Sequence, residues 1–334
     1  MKKIILILSF FFSLLGILRS FFFVFFNHKS LTDFTIFIAF SSQPYKISGM
    51  LIYLPTYYSD TRNSGIGLEL LNLYFYLTFF SSAVIYYFSK YKQARLLAFN
   101  YCLIFLYSII KITYTIVYFN KVEFHVYEIL YILLTLTYIF MSYYFITKFL
   151  NSKETTIPDN EDKIIEKHNQ NASVNKRLVN LIIDSTLIFI IVFGLISNIE
   201  RDDFFMTFFM FLRTTFGERS SFIIFFYVIK FIYYLVFESL FKATPAKFLT
   251  GSYVNDEDGN SPNFTMILKR TLYRLIPFES FSFLVGRNLH DNDSHTYVVN
   301  NRKETRIDKQ YLLFLGISVF TLLVIYFYFN NRMF

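Results

Sequence analysis

Residues 176–198 read KRLVNLIIDSTLIFIIVFGLISN, and the fold class turns on this stretch. From Leu178 onward it is apolar for about the 20 residues a helix needs to cross a bilayer core at roughly 1.5 Å per residue. The cations Lys176 and Arg177 open it, and Asp184 is the charge inside it. Apolar length flanked by Lys and Arg is the pattern of a transmembrane helix. Working outward, comparable runs lie at 4–26, 68–88, 96–119, 124–147, 222–241 and 311–329. The spacing predicts an all-α, polytopic membrane protein with about seven transmembrane helices plus a cytoplasmic amphipathic interfacial helix.

Composition agrees. The chain has 334 residues, 54% hydrophobic and 17% charged, whereas a soluble domain is about a quarter charged. With 27 Tyr and no Trp, tyrosine has to occupy the membrane–water interface alone. The single cysteine, Cys102, excludes an intramolecular disulfide and a cysteine metal site. The net charge is +8, but the cations sit beside the apolar runs, where they set orientation; no nucleic-acid partner is expected.

Orientation follows from these cations. Lys2 and Lys3 precede the first span, and Lys90, Lys92 and Arg95 fill the next basic connection. Lys148 and Lys153 follow the fourth span, Lys176 and Arg177 open the fifth, and Lys242 and Lys247 follow the sixth. Arg302, Lys303, Arg306 and Lys309 precede the seventh. All fall on one side if the N-terminus is cytoplasmic and the C-terminus external. Lys2-Lys3 followed by an apolar run also resembles a secretory signal, but the first alanine is Ala39, so an uncleaved first helix in a multi-pass cell-membrane protein is expected.

Four parts are expected: a four-helix membrane unit over 1–150 with an external loop at 27–67, a polar cytoplasmic linker at 151–174, a membrane domain at 175–300, and a C-terminal transmembrane helix at 301–334. Within 242–300, Phe248 to Val254 can form a short strand, and Asp256-Glu257-Asp258-Gly259 gives a tight turn. A calcium loop fails there, because its alternating carboxylates and closing Glu are absent. Phe264, Ile267, Leu268, Leu272, Leu275 and Ile276 share one helical face. Lys269, Arg270 and Arg274 hold the other, so 264–276 is expected to lie at the interface against anionic lipid headgroups, or to turn its arginines to cytoplasmic carboxylates.

These segments resemble the RDD family of bacterial membrane proteins, named for an arginine and two aspartates. The matching segments are Lys176-Arg177 to Asp184; Phe237-Glu238-Ser239-Leu240-Phe241 with Thr244-Pro245-Ala246-Lys247; Arg270 and Arg274 with Ile276-Pro277-Phe278-Glu279; and Leu289-His290-Asp291 leading to Thr296-Tyr297-Val298-Val299. Arg177, Asp184 and Asp291 match the name-giving residues. Ala246 and His295 stand where the family usually has glycine. The resemblance covers about 125 residues and implies a bacterial inner-membrane location. It suggests transport, with cation/proton exchange as the proposed reaction.

Ionisable groups inside spans cost about 2.5–3.5 kcal/mol each at a helix centre, so partners or roles are expected for them. Arg19 and Lys111 are expected to extend along their helices toward the interface. Arg177 and Asp184 share a face of the fifth span but lie about 10 Å apart along its axis. Lys230, on the sixth span, is at a depth where it can pair with Asp184, and Glu238 is shallower. Asp184 is then either a structural anchor paired with a cation or an ion site whose carboxylate cycles. His290 and Asp291, with Asp293 and His295, have metal-ligand chemistry, but no second-shell support is visible and no metal or other cofactor is expected.

No Gly-rich phosphate loop, H-E-x-x-H, G-x-S-x-G or C-x-x-C occurs, so an enzyme is not expected. Two readings remain. One is a carrier for a small ion or solute. The other is a non-transporting scaffold or accessory subunit, with a membrane protein partner at 264–276 and 27–67.

Overall fold

The computed structural model describes residues 1–25, 62–118, 126–150, 172–199, 203–276, 279, 289–300 and 317. The chain divides into two compact units. One comprises Met1–Leu150, Phe193–Thr207 and Tyr326–Phe334; the other comprises Asn151–Val192 and Phe208–Ile325.

The first unit contains α1 (Lys2–Phe25), α2 (Arg62–Phe88), α3 (Arg95–Tyr118) and α4 (Val126–Phe145), which continues into a π-helical turn at Ile146–Leu150. On α1, exposed Ile4, Ile7, Phe11, Leu14, Leu18 and Phe21 recur every three or four residues. Ile129, Leu133, Leu136, Phe140 and Tyr143 make the same stripe on α4. Such a stripe is unfavourable in water and natural against lipid tails. The inner faces interlock through aromatic rings. Tyr101 of α3 is edge-to-face with Phe79 of α2 at 5.7 Å and with Phe145 of α4 at 5.4 Å. Its hydroxyl lies 2.9 Å from the Ser9 hydroxyl of α1, a partner that a buried phenol requires.

α1 packs tightly against α2 at Gly16. A Cβ added there would stand 2.1–2.3 Å from the Tyr76 ring, which is fully buried. Gly16→Ala is therefore expected to destabilise the unit by about 1–3 kcal/mol, through overpacking rather than backbone strain. The check is a lowered Tm in detergent; a Tm equal to wild type would show that the α1–α2 seam yields. Arg19 and Lys111 do not extend outward as expected. Both are buried, and the Lys111 ammonium sits 3.7 Å from the centroid of the Tyr131 ring, a cation–π contact.

The second unit carries most of α5 (Val174–Ile199) and α6 (Asp203–Phe216), then α7 (Glu218–Phe241), α8 (Pro245–Thr250), β1 (Ser252–Asp256), α9 (Phe264–Tyr273), α10 (Leu289–Asn292) and β2 (Thr296–Asn300). α7 closes at Lys242, whose φ of 59° is left-handed and whose N–H donates to the Glu238 carbonyl at 3.1 Å. Thr244 then caps α8 and Pro245 occupies its first turn, where a missing N–H does no harm. Asn263 caps α9 by accepting from the Met266 N–H at 2.8 Å.

The cap at Thr244 explains a shift from expectation. Residues 245–250 are helical, and the strand expected over 248–254 runs instead from Ser252 to Asp256. It pairs antiparallel with β2, Val254 opposite Val298, so the all-α reading is corrected by a two-stranded ribbon. The expected turn does form after β1: the Asp256 carboxylate accepts from the Asn260 N–H at 2.6 Å, and Gly259 has φ 77°. His295, just before β2, has φ 51°. That is the left-handed region, which accounts for the family's usual glycine at this position. His295→Gly is expected to raise stability by roughly 0.5–1 kcal/mol, because relieved backbone strain outweighs the lost exposed contact with Glu257. A fall in Tm would refute that balance.

Among the described residues, four helical stretches are long and apolar enough to cross a membrane: Lys2–Phe21, Arg95–Thr113, Ile129–Leu150 and Glu218–Phe241. The expected spans 68–88 and 178–198 are helical within α2 and α5 without belonging to those four. The expected span 311–329 lies outside the described residues except for residue 317, as do residues 151–171 of the expected linker 151–174 and residues 27–61 of the expected loop 27–67, whose end, residues 62–67, opens α2 instead.

Candidate functional site

On α5, Arg177, Asn180 and Asp184 follow one another at three- and four-residue spacing and are all buried, so one face of an otherwise apolar helix is polar. That face meets the end of α7, the short helix α8, the inner side of α9 and the start of α10.

Two carboxylates organise the meeting. Glu238, in the last turn of α7, is fully buried. It receives the Lys247 ammonium from α8, and the Arg274 guanidinium from the end of α9 reaches it through two contacts, at 2.9 and 3.0 Å. Arg270 Nε lies 3.3 Å from the same carboxylate. Asp291 on α10 is also fully buried, and it accepts from Arg177 Nη1 at 2.5 Å and from Arg270 Nη1. Arg270 thus bridges both carboxylates, and its Nη1 also donates to the Thr296 hydroxyl at 2.8 Å. Arg274 additionally covers the Tyr234 ring at 4.2 Å.

The electrostatics follow from this packing. Burial alone would raise the Asp291 carboxyl, but the Arg270 guanidinium beside it holds it well below the usual carboxylate range. Burial pushes the Lys247 ammonium down to about 8, against the pull of Glu238. Burial, followed by the charge of Arg270, pushes the His290 imidazole down to about 4, so this histidine is neutral at pH 7. Its Nδ1 lies 2.5 Å from Glu279, whose carboxylate also accepts from the His290 backbone N–H at 2.9 Å.

Asp184 stands beside these pairs with partners of its own. Its carboxylate accepts from the Tyr233 hydroxyl at 2.7 Å, the Thr244 hydroxyl at 2.7 Å and the Ala246 N–H at 3.3 Å. Lys230 is not its partner. The Lys230 ammonium instead donates to the Arg274 carbonyl at 2.8 Å, at the C-terminal end of α9. Terminal carbonyls lack intrahelical donors and carry partial negative charge, so they compete well for an ammonium.

Of the residues expected from sequence, Arg177, Glu238, Arg270, Arg274, His290 and Asp291 come together, Asp184 adjoins them, and Lys230 sits at the edge. Lys247, Glu279, Tyr233 and Thr244 were missed as site residues. Lys247, Thr244 and Glu279 lie in segments that carry the family resemblance, which was the available signal; Tyr233 had none. Of the two alternatives expected for 264–276, the arginines take the second. Arg270 and Arg274 turn inward to carboxylates, and Lys269 is the cation left exposed on α9. Asp293 and His295 are exposed while His290 and Asp291 are buried, and among the described residues no three His, Cys, Asp or Glu side chains converge on a metal position.

A cavity of about 50 Å³ lies within this cluster. Its walls include Arg177, Asp184, Lys247, Arg270, Arg274 and His290.

Helices long and apolar enough to cross a bilayer, with lipid-type outer faces, mark an α-helical membrane protein. The sequence model of the RDD family matches residues 171–332, a little under half of the chain. No curated protein and no solved structure matches the chain.

Proposed function

We propose that the chain is a carrier for a small ion or solute in the bacterial inner membrane, and that the charged cavity in its RDD domain is the binding site. The observation behind this reading is the cavity itself, with ionisable side chains on its walls between helices of a membrane domain. Such groups are costly there and usually mark a pathway or site. The absence of catalytic motifs favours a carrier over an enzyme. Cation/proton exchange is the reaction the family resemblance suggests, with Asp184 as the carboxylate that cycles.

Reconstituted proteoliposomes test the proposal: ion flux driven by a pH gradient should exceed that of empty vesicles. Absence of flux for every small cation and anion tried, from correctly folded protein, counts against a carrier. A second reading is a non-transporting scaffold or accessory subunit, and it draws on the mutual pairing of the buried charges. In either reading the N-terminus and the 151–174 linker are cytoplasmic and the C-terminus external, as the basic connections favour. With Cys102 replaced, single cysteines introduced into the linker should resist an impermeant thiol reagent in intact cells and react after permeabilisation. Labelling in intact cells would invert the topology.

A further inference from the structure

We infer that the cavity in the RDD domain binds a small inorganic anion. This rests on reading that cavity as the carrier's binding site, and for that cavity it takes the place of the cation/proton exchange that the family resemblance suggests. The walls carry the charge. Arg177, Lys247, Arg270 and Arg274 line the space, against Asp184 as the carboxylate among the lining residues. Asp184 already accepts from Tyr233, Thr244 and the Ala246 N–H, which screens its charge. Glu238 and Asp291 neutralise the arginines from positions that do not line the cavity.

A specific donor is also available. Arg270 is fully buried and lines the cavity. Its Nη1 and Nε face Asp291, Thr296 and Glu238, but its Nη2 has no hydrogen-bond partner among the described residues. A buried guanidinium N–H left unmatched needs an acceptor. The space, about 50 Å³, is roomy enough for more than one water and so for a small inorganic anion.

The test uses the full chain, purified in detergent, in potassium chloride against potassium gluconate at equal ionic strength. Gluconate carries the same charge on a bulky organic anion. Chloride should raise the Tm saturably, by about 2–4 °C, and radiolabelled chloride should bind at equilibrium. Leu181→Phe narrows the cavity from its apolar side without touching a charge, and it should abolish both signals. If that variant is not recovered folded, Val298→Leu serves the same purpose. Identical Tm values in both salts with no bound chloride overturn the inference, even if cation flux is found. Undiminished binding in the folded Leu181→Phe protein also overturns it, because the anion is then elsewhere. Bound chloride that is lost in the variant supports the site even if no flux is measured, and in that case the carrier reading alone fails.

Discussion

Glu238→Gln is expected to leave little folded protein, at a cost of about 3–5 kcal/mol. The carboxylate is fully buried and faces Lys247, Arg270 and Arg274 together. Glutamine keeps the shape and one acceptor oxygen, but it removes the charge that offsets three desolvated cations. Its amide N–H groups would also face guanidinium and ammonium donors, so the loss includes a reversed hydrogen bond. Lys247→Met should be milder, because both arginines keep Glu238 paired. The double variant Glu238→Gln with Lys247→Met should recover part of the loss, with a coupling energy of roughly 0.5–3 kcal/mol. Thermal unfolding in detergent and recovery by size exclusion measure both effects. A Glu238→Gln protein within about 0.5 kcal/mol of wild type would mean the cluster does not organise the domain.

Asp184→Asn is the second large effect, and its size separates structural from transport roles. The carboxylate accepts from Tyr233, Thr244 and Ala246. An amide has one oxygen, so at least one buried hydroxyl then meets an NH2 group instead of an acceptor. Each orphaned buried donor costs about 1–3 kcal/mol. The variant should therefore unfold measurably earlier. Lys230→Met should not rescue it, because the Lys230 ammonium bonds the Arg274 carbonyl. The two changes should add within about 0.3–0.5 kcal/mol. Rescue by Lys230→Met would restore a direct Asp184–Lys230 pair and contradict the geometry. An Asp184→Asn protein as stable as wild type but without pH-driven flux would assign the residue to transport rather than anchoring.

That pair shows where the sequence stops being informative. Depth along two helices placed Asp184 and Lys230 at compatible heights, but rotation about each helix axis decides contact, and no periodicity encodes the rotation of one helix relative to another. The spacing of Arg177 and Asp184 was more useful: two helical turns forbid a shared partner, and the two go to Asp291 and to Tyr233 with Thr244.

The helix at 264–273 shows the same limit in another form. Apolar residues on one side and Arg270 and Arg274 on the other describe a helix lying on a membrane, and equally a helix pressed against buried carboxylates. Amphipathicity records that the two faces meet different surroundings without naming them. Pairing Arg270 with Asp291 needs knowledge of a chain segment twenty-one residues away. The ribbon was half legible: the turn at Asp256–Gly259 was visible, while β2 depended on a partner 40 or more residues distant. The membrane class, by contrast, was plain, because apolar length is a local property of the sequence.

Arg177 and Asp291 are separated by 114 residues, which sets a timetable for biogenesis. A ribosome adding roughly 5–20 residues per second leaves Arg177 inserted for roughly 6–23 s before its partner has been made. During that interval the fifth helix holds a guanidinium whose carboxylate does not yet exist, and phosphate headgroups or insertion machinery have to shelter it. The ionic cluster is therefore among the last features of the domain to close, and a chain stopped before residue 291 would present its arginines to quality control as unmatched charge.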